Sequence, residues 1–191
     1  MQCKFIDKDN NHRLIAIFAG WAMDSAPFEG LRRHGYDIMV IWDYRDFSLD
    51  WSCAAHYDEI CVVAWSLGVY AAAVATAPIA ARVTLRLAVN GTLSPVDSLK
   101  GIPPAVFRGT LEGLDERNLT KFYRRVAGSR EAYGRFAETL PQRDIDDLKT
   151  ELEAFLPRDF FAPELDTRFD RALISRDDAI FPAANQWRAW E

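Results

Sequence analysis

Histidine is scarce in this chain of 191 residues: His12, His34 and His56 are the whole complement, and all three lie in the first third. A histidine-built metal site and a late-placed imidazole base are both excluded. Cysteine is nearly as rare. Cys3, Cys53 and Cys61 show neither metal-ligand nor disulfide-framework spacing, so they read as free thiols of a reducing compartment. Long apolar runs are missing too. The windows around Cys61–Ala64 and Val69–Ala77 are broken by Trp65-Ser66-Leu67-Gly68 and by Pro78, which excludes a membrane span. The first nine residues carry too much charge for a secretory signal. There is no excess of positive charge: 23 Lys and Arg stand against 28 Asp and Glu, a net charge of -5, which argues against broad nucleic-acid binding. No glycine–lysine phosphate loop occurs. A cytoplasmic protein without metal or redox cofactor is the expectation.

With 49% hydrophobic residues, there is enough apolar material for one core and too little for two domains. Short apolar runs predict strands at Arg13–Ala19, Asp37–Trp42, Glu59–Ala64, Arg82–Val89 and, briefly, Arg171–Ile174. Helical patterns at Ala26–His34 and from Ser66 to about Thr76 alternate with them. This order predicts an α/β fold with a mostly parallel sheet covered on both faces. Sites in such sheets form at the carboxyl ends of strands. Gly20, Asp43, Ser66, Asn90 and Asp178 all follow strands in that sense.

Residues 108–160 depart from the pattern. Arg117, Lys121, Arg124, Arg125, Arg130 and Arg135 alternate with aromatic and aliphatic residues, and acids dominate from Asp144 to Glu153. The segment reads as amphipathic helices inserted as a lid. The expected division is a core over 1–107, a lid over 108–160 and a return to the core over 161–191.

The run Glu59–Ala73 has the form of a nucleophile elbow: a short apolar strand, a tight turn at Ser66, then an alanine-rich helix. The alternative is a serine that merely caps the helix. As a nucleophile, Ser66 needs an oxyanion hole, a base and an orienting acid. The main-chain N–H of Leu67 opens the helix and is the first expected oxyanion donor. That of Trp21, beside Gly20 in the loop after the first predicted strand, is the second. Asp178 is the expected acid, with Asp177 as its competitor, and an ordinary acidic turn is the alternative to both. No base has the right place. His12 and His56 precede the strands that lead to the site, His34 ends a predicted helix, and the expected order is Ser, then acid, then His. The reading at this stage is a chain cut before its base, with hydrolysis near background, or a protein that binds without catalysing.

Taken together, Phe18-Ala-Gly20-Trp21-Ala-Met-Asp24, Trp42-Asp-Tyr-Arg-Asp46, Ala64-Trp-Ser66-Leu-Gly68, Ala88–Pro95, Lys121-Phe-Tyr-Arg-Arg125 and Ile180–Gln186 resemble the small α/β-hydrolases of biotin synthesis. The resemblance is to the BioG-type pimeloyl-[acyl-carrier protein] methyl ester esterases, and its marks span nearly the whole chain. It implies Ser66 as nucleophile, Asp178 as acid and a later histidine that no residue here matches. Ala64 replaces the usual first glycine of the elbow. The implied partner is an acyl carrier protein bearing a pimeloyl methyl ester, steered by Arg124, Arg125, Arg130 and Arg135; a plain solvated helix face is the alternative for these arginines. Trp21, Trp65 and Phe122 are candidate walls of an acyl channel. Two rival functions remain: a general carboxylesterase or thioesterase, and a non-catalytic carrier-binding protein.

Overall fold

The computed structural model describes residues 1–156 and 168–191. Six strands form one sheet in the order β1-β3-β2-β4-β5-β6. They are β1 (Gln2–Asp7), β2 (Arg13–Phe18), β3 (Asp37–Trp42), β4 (Glu59–Trp65), β5 (Val83–Val89) and β6 (Arg171–Leu173). All neighbours run parallel except β1, which pairs antiparallel with β3. Strand β3 is buried on both faces, and β4 is buried on one face and half-buried on the other, which is why both read as aliphatic runs. Leu14, Ala16, Phe18, Val40, Ile60, Val62 and Ala64 are sealed from solvent. Each large aliphatic side chain so placed contributes about 1.5–3 kcal/mol.

The register sets the site. Arg13 lies opposite Glu59 at one end of the sheet, and Phe18 lies opposite Ala64 at the other. Everything that follows Phe18, Trp42, Trp65, Val89 and Leu173 therefore emerges along a single edge.

The helices are α1 (Gly68–Ala75), α2 (Pro104–Glu112), α3 (Glu116–Ala127), α4 (Arg130–Phe136), α5 (Ile145–Glu153) and α6 (Ala183–Trp190). Between β5 and β6 the chain passes through α2 to α5. Their ends follow from local chemistry. Asp115, Ser129 and Asp144 accept main-chain N–H bonds at the starts of α3, α4 and α5, and Gly128 closes α3 in the left-handed region at φ 74°. The predicted amphipathic stripes are present: Phe122 and Tyr123 on α3, and Leu148 and Leu152 on α5, are buried.

One expectation needs correction, and two elements were not anticipated. Residues 26–34 form a single 3-10 turn, Ala26–Phe28, and not a helix; that turn buries none of its residues, so no packing compensates for Pro27 and Gly30. The N-terminal segment, charged and without an apolar run, is edge strand β1; its outer three residues are exposed, so it lacks the signature of a buried strand. Helix α6 had no counterpart in the reading of the sequence. The last four residues of the expected lid, 157–160, and the first seven of the expected return, 161–167, lie outside the described residues.

Candidate active site

Strand β4 ends at Trp65, and Ser66 turns the chain with φ 59°, a left-handed conformation that costs an L-residue about 1–2 kcal/mol. Its N–H donates to Val89 (2.9 Å), and its carbonyl accepts from Val69 (3.1 Å). The turn is wedged between main chains. A Cβ on Gly68 would stand 2.5 Å from the carbonyl oxygens of Phe18 and Ala19, and one on Gly91 only 2.2 Å from that of Ser66. Only hydrogen fits at either position, so the helix can start this close to the sheet. Leu67 occupies the N-cap of α1 and no side chain caps it. The helix-capping alternative for Ser66 therefore fails. Among the described residues its hydroxyl has no hydrogen-bond partner, and it is half-buried.

The loop after β2 approaches Ser66 from the neighbouring strand. Met23 N–H closes a reverse turn onto Gly20 (3.2 Å), and Ala22 takes φ 66°. Trp21 sits inside that turn. Among the described residues, neither its main-chain N–H nor that of Leu67 donates to a protein acceptor. Two unpaired donors thus flank the serine.

Asp178 follows β6 and is fixed by three bonds. Its Oδ1 accepts from the N–H groups of Ile180 (2.8 Å) and Phe181 (2.9 Å), and its Oδ2 from Gln186 Nε2 (3.0 Å). Gln186, wholly buried on α6, is held in turn by the Phe181 carbonyl at 2.8 Å. The ends of β5 and β6 are stitched by Asn90, whose side chain bonds both the hydroxyl and the N–H of Ser175 (2.9 and 2.8 Å).

A cavity of about 290 Å³ gathers these groups: Gly20, Trp21, Ser66, Asn90, Arg125 and Asp178 all line it. Asp177, the competitor of Asp178, lines it as well. Arg176, not singled out in the sequence, is a further wall. A second, narrower and apolar cavity shares Trp21 and Ser66 and adds Leu67, Ile102, Phe107 and Leu152. The candidate acyl-channel aromatics divide: Trp21 and Phe122 line both cavities, Trp65 only the first.

The four arginines do not act as one group. Arg125 stands at the cavities. Arg124 and Arg130 line a separate concavity between α3 and α4, and the Arg124 guanidinium lies over the Tyr133 ring at 5.3 Å. Arg135 pairs with Glu131 at 2.6 Å on an exposed face. None of the three histidines is near. His12 sits at the start of β2, where its carbonyl accepts from Asp58; His56 stacks on Tyr57; and His34 is exposed in the loop before β3.

One feature near the site escaped the reading of the sequence. Glu151 on α5, among acids expected to be solvated, is fully buried. It accepts from Arg143 (2.5 Å) and from the N–H of Tyr44 (3.0 Å). Burial raises its carboxyl above the ordinary range, although Arg143 and the Tyr44 N–H pull the other way. Asp43, at φ 65° after β3, is bonded by Arg45 and lies 3.5 Å from Arg143. Burial opposes the charge on Asp43, but those cations and Gln2 hold its carboxyl below the ordinary range. Arg45 also pairs with Asp147 on α5. Five charged residues, Asp43, Arg45, Arg143, Asp147 and Glu151, thus bolt α5 to the end of β3.

A mostly parallel sheet, with a strained serine between strand and helix and two free N–H groups beside it, defines an α/β-hydrolase fold. A lipase-esterase related protein from Clostridium acetobutylicum shares that fold, with a TM-score of 0.63 at 10% identity over 98% of this chain and 83% of the other. The family model described as Pimeloyl-ACP methyl esterase BioG matches residues 1–191, and the chain belongs to that family. The crystal structure of BioG from Haemophilus influenzae superposes with a TM-score of 0.88 at 34% identity, covering 100% of this chain and 87% of that one. The chain is also 40% identical over 177 residues to the malonyl-[acyl-carrier protein] O-methyltransferase of Bacteroides fragilis. That match takes in 93% of this chain and 36% of the relative, so the chain spans little more than a third of that protein's length.

Proposed function

We propose that this chain is the hydrolase unit of a serine esterase that cleaves the methyl ester of a pimeloyl group carried on acyl carrier protein. The supporting observation is the left-handed Ser66 with its unbonded hydroxyl, flanked by two unpaired main-chain N–H groups and sharing a cavity with Asp178. The family supplies the substrate. The name of the Bacteroides relative supports it, since a carrier-bound O-methyl ester is what a methyltransferase on an acyl carrier would leave for removal.

In this reading Ser66 Oγ attacks the terminal ester carbonyl, and the oxyanion is met by the N–H groups of Trp21 and Leu67. A base takes the serine proton and delivers it to the leaving methoxide, which departs as methanol. Water, deprotonated by the same base, then cleaves the acyl-serine bond and returns a proton to Oγ, releasing the carboxylate. Asp178 orients the base. Among His12, His34 and His56 none reaches the cavity, so these residues alone are expected to hydrolyse at background rate. That absence favours one second reading, in which the chain binds acyl carrier protein without turnover. Among the described residues no helix is long and apolar enough to cross a membrane; a cytoplasmic setting is part of the proposal.

The test is methanol release from pimeloyl-carrier methyl ester by the full-length protein containing these residues. Ser66→Ala should remove at least about 10⁴-fold of the rate, and Asp178→Asn a comparable factor. Carrier binding without cleavage would establish the second reading. Cleavage that survives Ser66→Ala would discard the serine mechanism.

A further inference from the structure

We propose that Cys3 and Cys53 form a redox-active pair, a modification site that a small-molecule disulfide oxidises to a Cys3–Cys53 bond.

The two cysteines lie far apart in the sequence, and the register of the sheet brings them together. In the antiparallel pairing of β1 with β3, Cys3 lies opposite Ile41 and Phe5 opposite Met39. Opposed residues share a face, so all four side chains point to one side of the sheet. The segment from Trp51 to Tyr57 packs on that side. The Phe5 and Tyr57 rings stack at 6.2 Å. The Phe18 ring, opposite Ile41 in the pairing of β2 with β3, stands 6.4 Å from Trp51. Cys53 lies between these anchors on the 3-10 turn Trp51–Ala54, and its Sγ is 4.0 Å from Met39 Sδ. There the Cys3 and Cys53 thiols meet as hydrogen-bonding neighbours.

Both residues are exposed, so an oxidant in solution can reach them. The backbones that carry them are already held together. The Met1 ammonium donates to the carbonyls of Asp46 and Ser48 (3.3 and 3.2 Å), which ties the start of β1 to the loop leading into the Cys53 turn. Partial burial, and then the adjoining Cys53, push the Cys3 thiol above its ordinary value. Cys3 therefore waits as a thiol, and Cys53 makes the first attack.

The exchange balances without a metal or a second cofactor. Cys53 gives its proton to solvent, and its thiolate attacks one sulfur of the small disulfide. That S–S bond breaks, and the thiolate released takes up a proton. Cys3 then loses its proton to solvent and attacks Cys53 Sγ, which breaks the mixed disulfide and expels the second small thiol. Two electrons pass from the cysteines to the oxidant.

Cys61 is the internal control. It lies opposite Ile15, which in turn lies opposite Ile38, the neighbour of Met39. Alternation along β3 puts Cys61 on the other face of the sheet, out of reach of the pair.

The probe is oxidised glutathione on the 191-residue chain, read by peptide mapping in a mass spectrometer and by thermal melting. The parent should lose two hydrogens and yield a Cys3–Cys53 crosslinked peptide. It should melt at least about 5 °C higher, because the bond closes a long loop of the unfolded chain. Dithiothreitol should reverse both changes. Cys3→Ser should stop at one glutathionyl group on Cys53, and Cys53→Ser should form no crosslink. Both variants should melt within about 2 °C of the reduced parent, as exposed substitutions do, which shows that they fold. Cys61→Ser should keep the crosslink and the rise. Glutathionyl groups on Cys3 and Cys53 that never resolve, a bond between two chains, a crosslink through Cys61 or no reaction overturns the pair. A Cys3–Cys53 bond that brings no rise in melting temperature overturns it as well, since the native fold then does not hold the two sulfurs within reach.

Discussion

The indole N–H of Trp21 donates to the carbonyl of Leu148 at 3.0 Å, so the loop that offers the Trp21 main-chain N–H hangs directly on α5. The Tyr123 hydroxyl adds a bond from α3 to the Ala22 carbonyl, also 3.0 Å. The inserted helices therefore set the position of the proposed oxyanion donor as much as the sheet does. Trp21→Phe keeps an aromatic ring against Phe122, now 4.8 Å away, and loses the bond to α5. A fall in unfolding free energy of about 1 kcal/mol is expected by urea titration. In the full-length protein, kcat should fall with little change in KM, because the loosened donor acts on the transition state. A rise in KM alone would place the effect in substrate binding.

The bolt between α5 and β3 should be strongly asymmetric under mutation. Glu151→Gln leaves Arg143 buried beside a neutral partner, and removing one member of such a pair costs about 3–5 kcal/mol. Replacing both, Arg143→Met with Glu151→Leu, should recover much of that loss, since no isolated charge remains. Asp43 will limit the recovery, because it also faces Arg143 at 3.5 Å. A double-mutant cycle by denaturation measures the coupling; additive losses would show that the pair is solvated.

How far this architecture could be read in advance depends on the kind of signal. Strands β2 to β4 announced themselves because their aliphatic runs are continuous; β5, interrupted by Thr84 and Arg86 and exposed at Thr84 and Leu85, was legible from its apolar end, Leu87–Val89. Ser66 was legible because strand, turn and helix follow each other within a few residues. Strand β1 was not, since its pairing with β3 is long-range and its own pattern is exposed. The Asp43–Arg143–Glu151 cluster was illegible for another reason: nothing local distinguishes a buried glutamate from its solvated neighbours Asp146 and Glu153. The four lid arginines share a composition signal, yet α3 and α4 turn them into different spaces.

Asp37 makes a pH prediction at the opposite end of the sheet. Its carboxylate accepts from the Tyr57 hydroxyl (2.6 Å), the Asn11 side chain (2.7 Å) and the N–H groups of Asp9 and Asn11 (3.0 and 3.2 Å). Burial opposes its charge, but these four bonds outweigh burial and hold its carboxyl below the ordinary range. With the folded value lowered, the unfolded chain binds more protons in acid. The stabilisation is complete above the unfolded value near 4 and is lost as pH falls through the folded one. Asp37→Asn should therefore be less stable than the parent at pH 6, and the gap should narrow toward pH 2. A gap that stays constant would mean the carboxylate is not the stabilising form.

Two glycines should respond to the same substitution with opposite signs. At Gly91 an alanine Cβ would press within 2.2 Å of the Ser66 carbonyl oxygen and 2.8 Å of the Val69 side chain. Neither main chain can yield without moving the turn that holds Ser66 at positive φ. Gly91→Ala should cost about 1–3 kcal/mol, as overpacking does, and lower ester turnover in the full-length protein by at least tenfold. At Gly109 the same methyl enters open space within α2, where alanine is favoured over glycine by about 1 kcal/mol. Gly109→Ala should therefore raise the melting temperature while Gly91→Ala lowers it. If Gly91→Ala proves neutral in both stability and turnover, the close approach of main chains that confines Ser66 is not what sets its conformation.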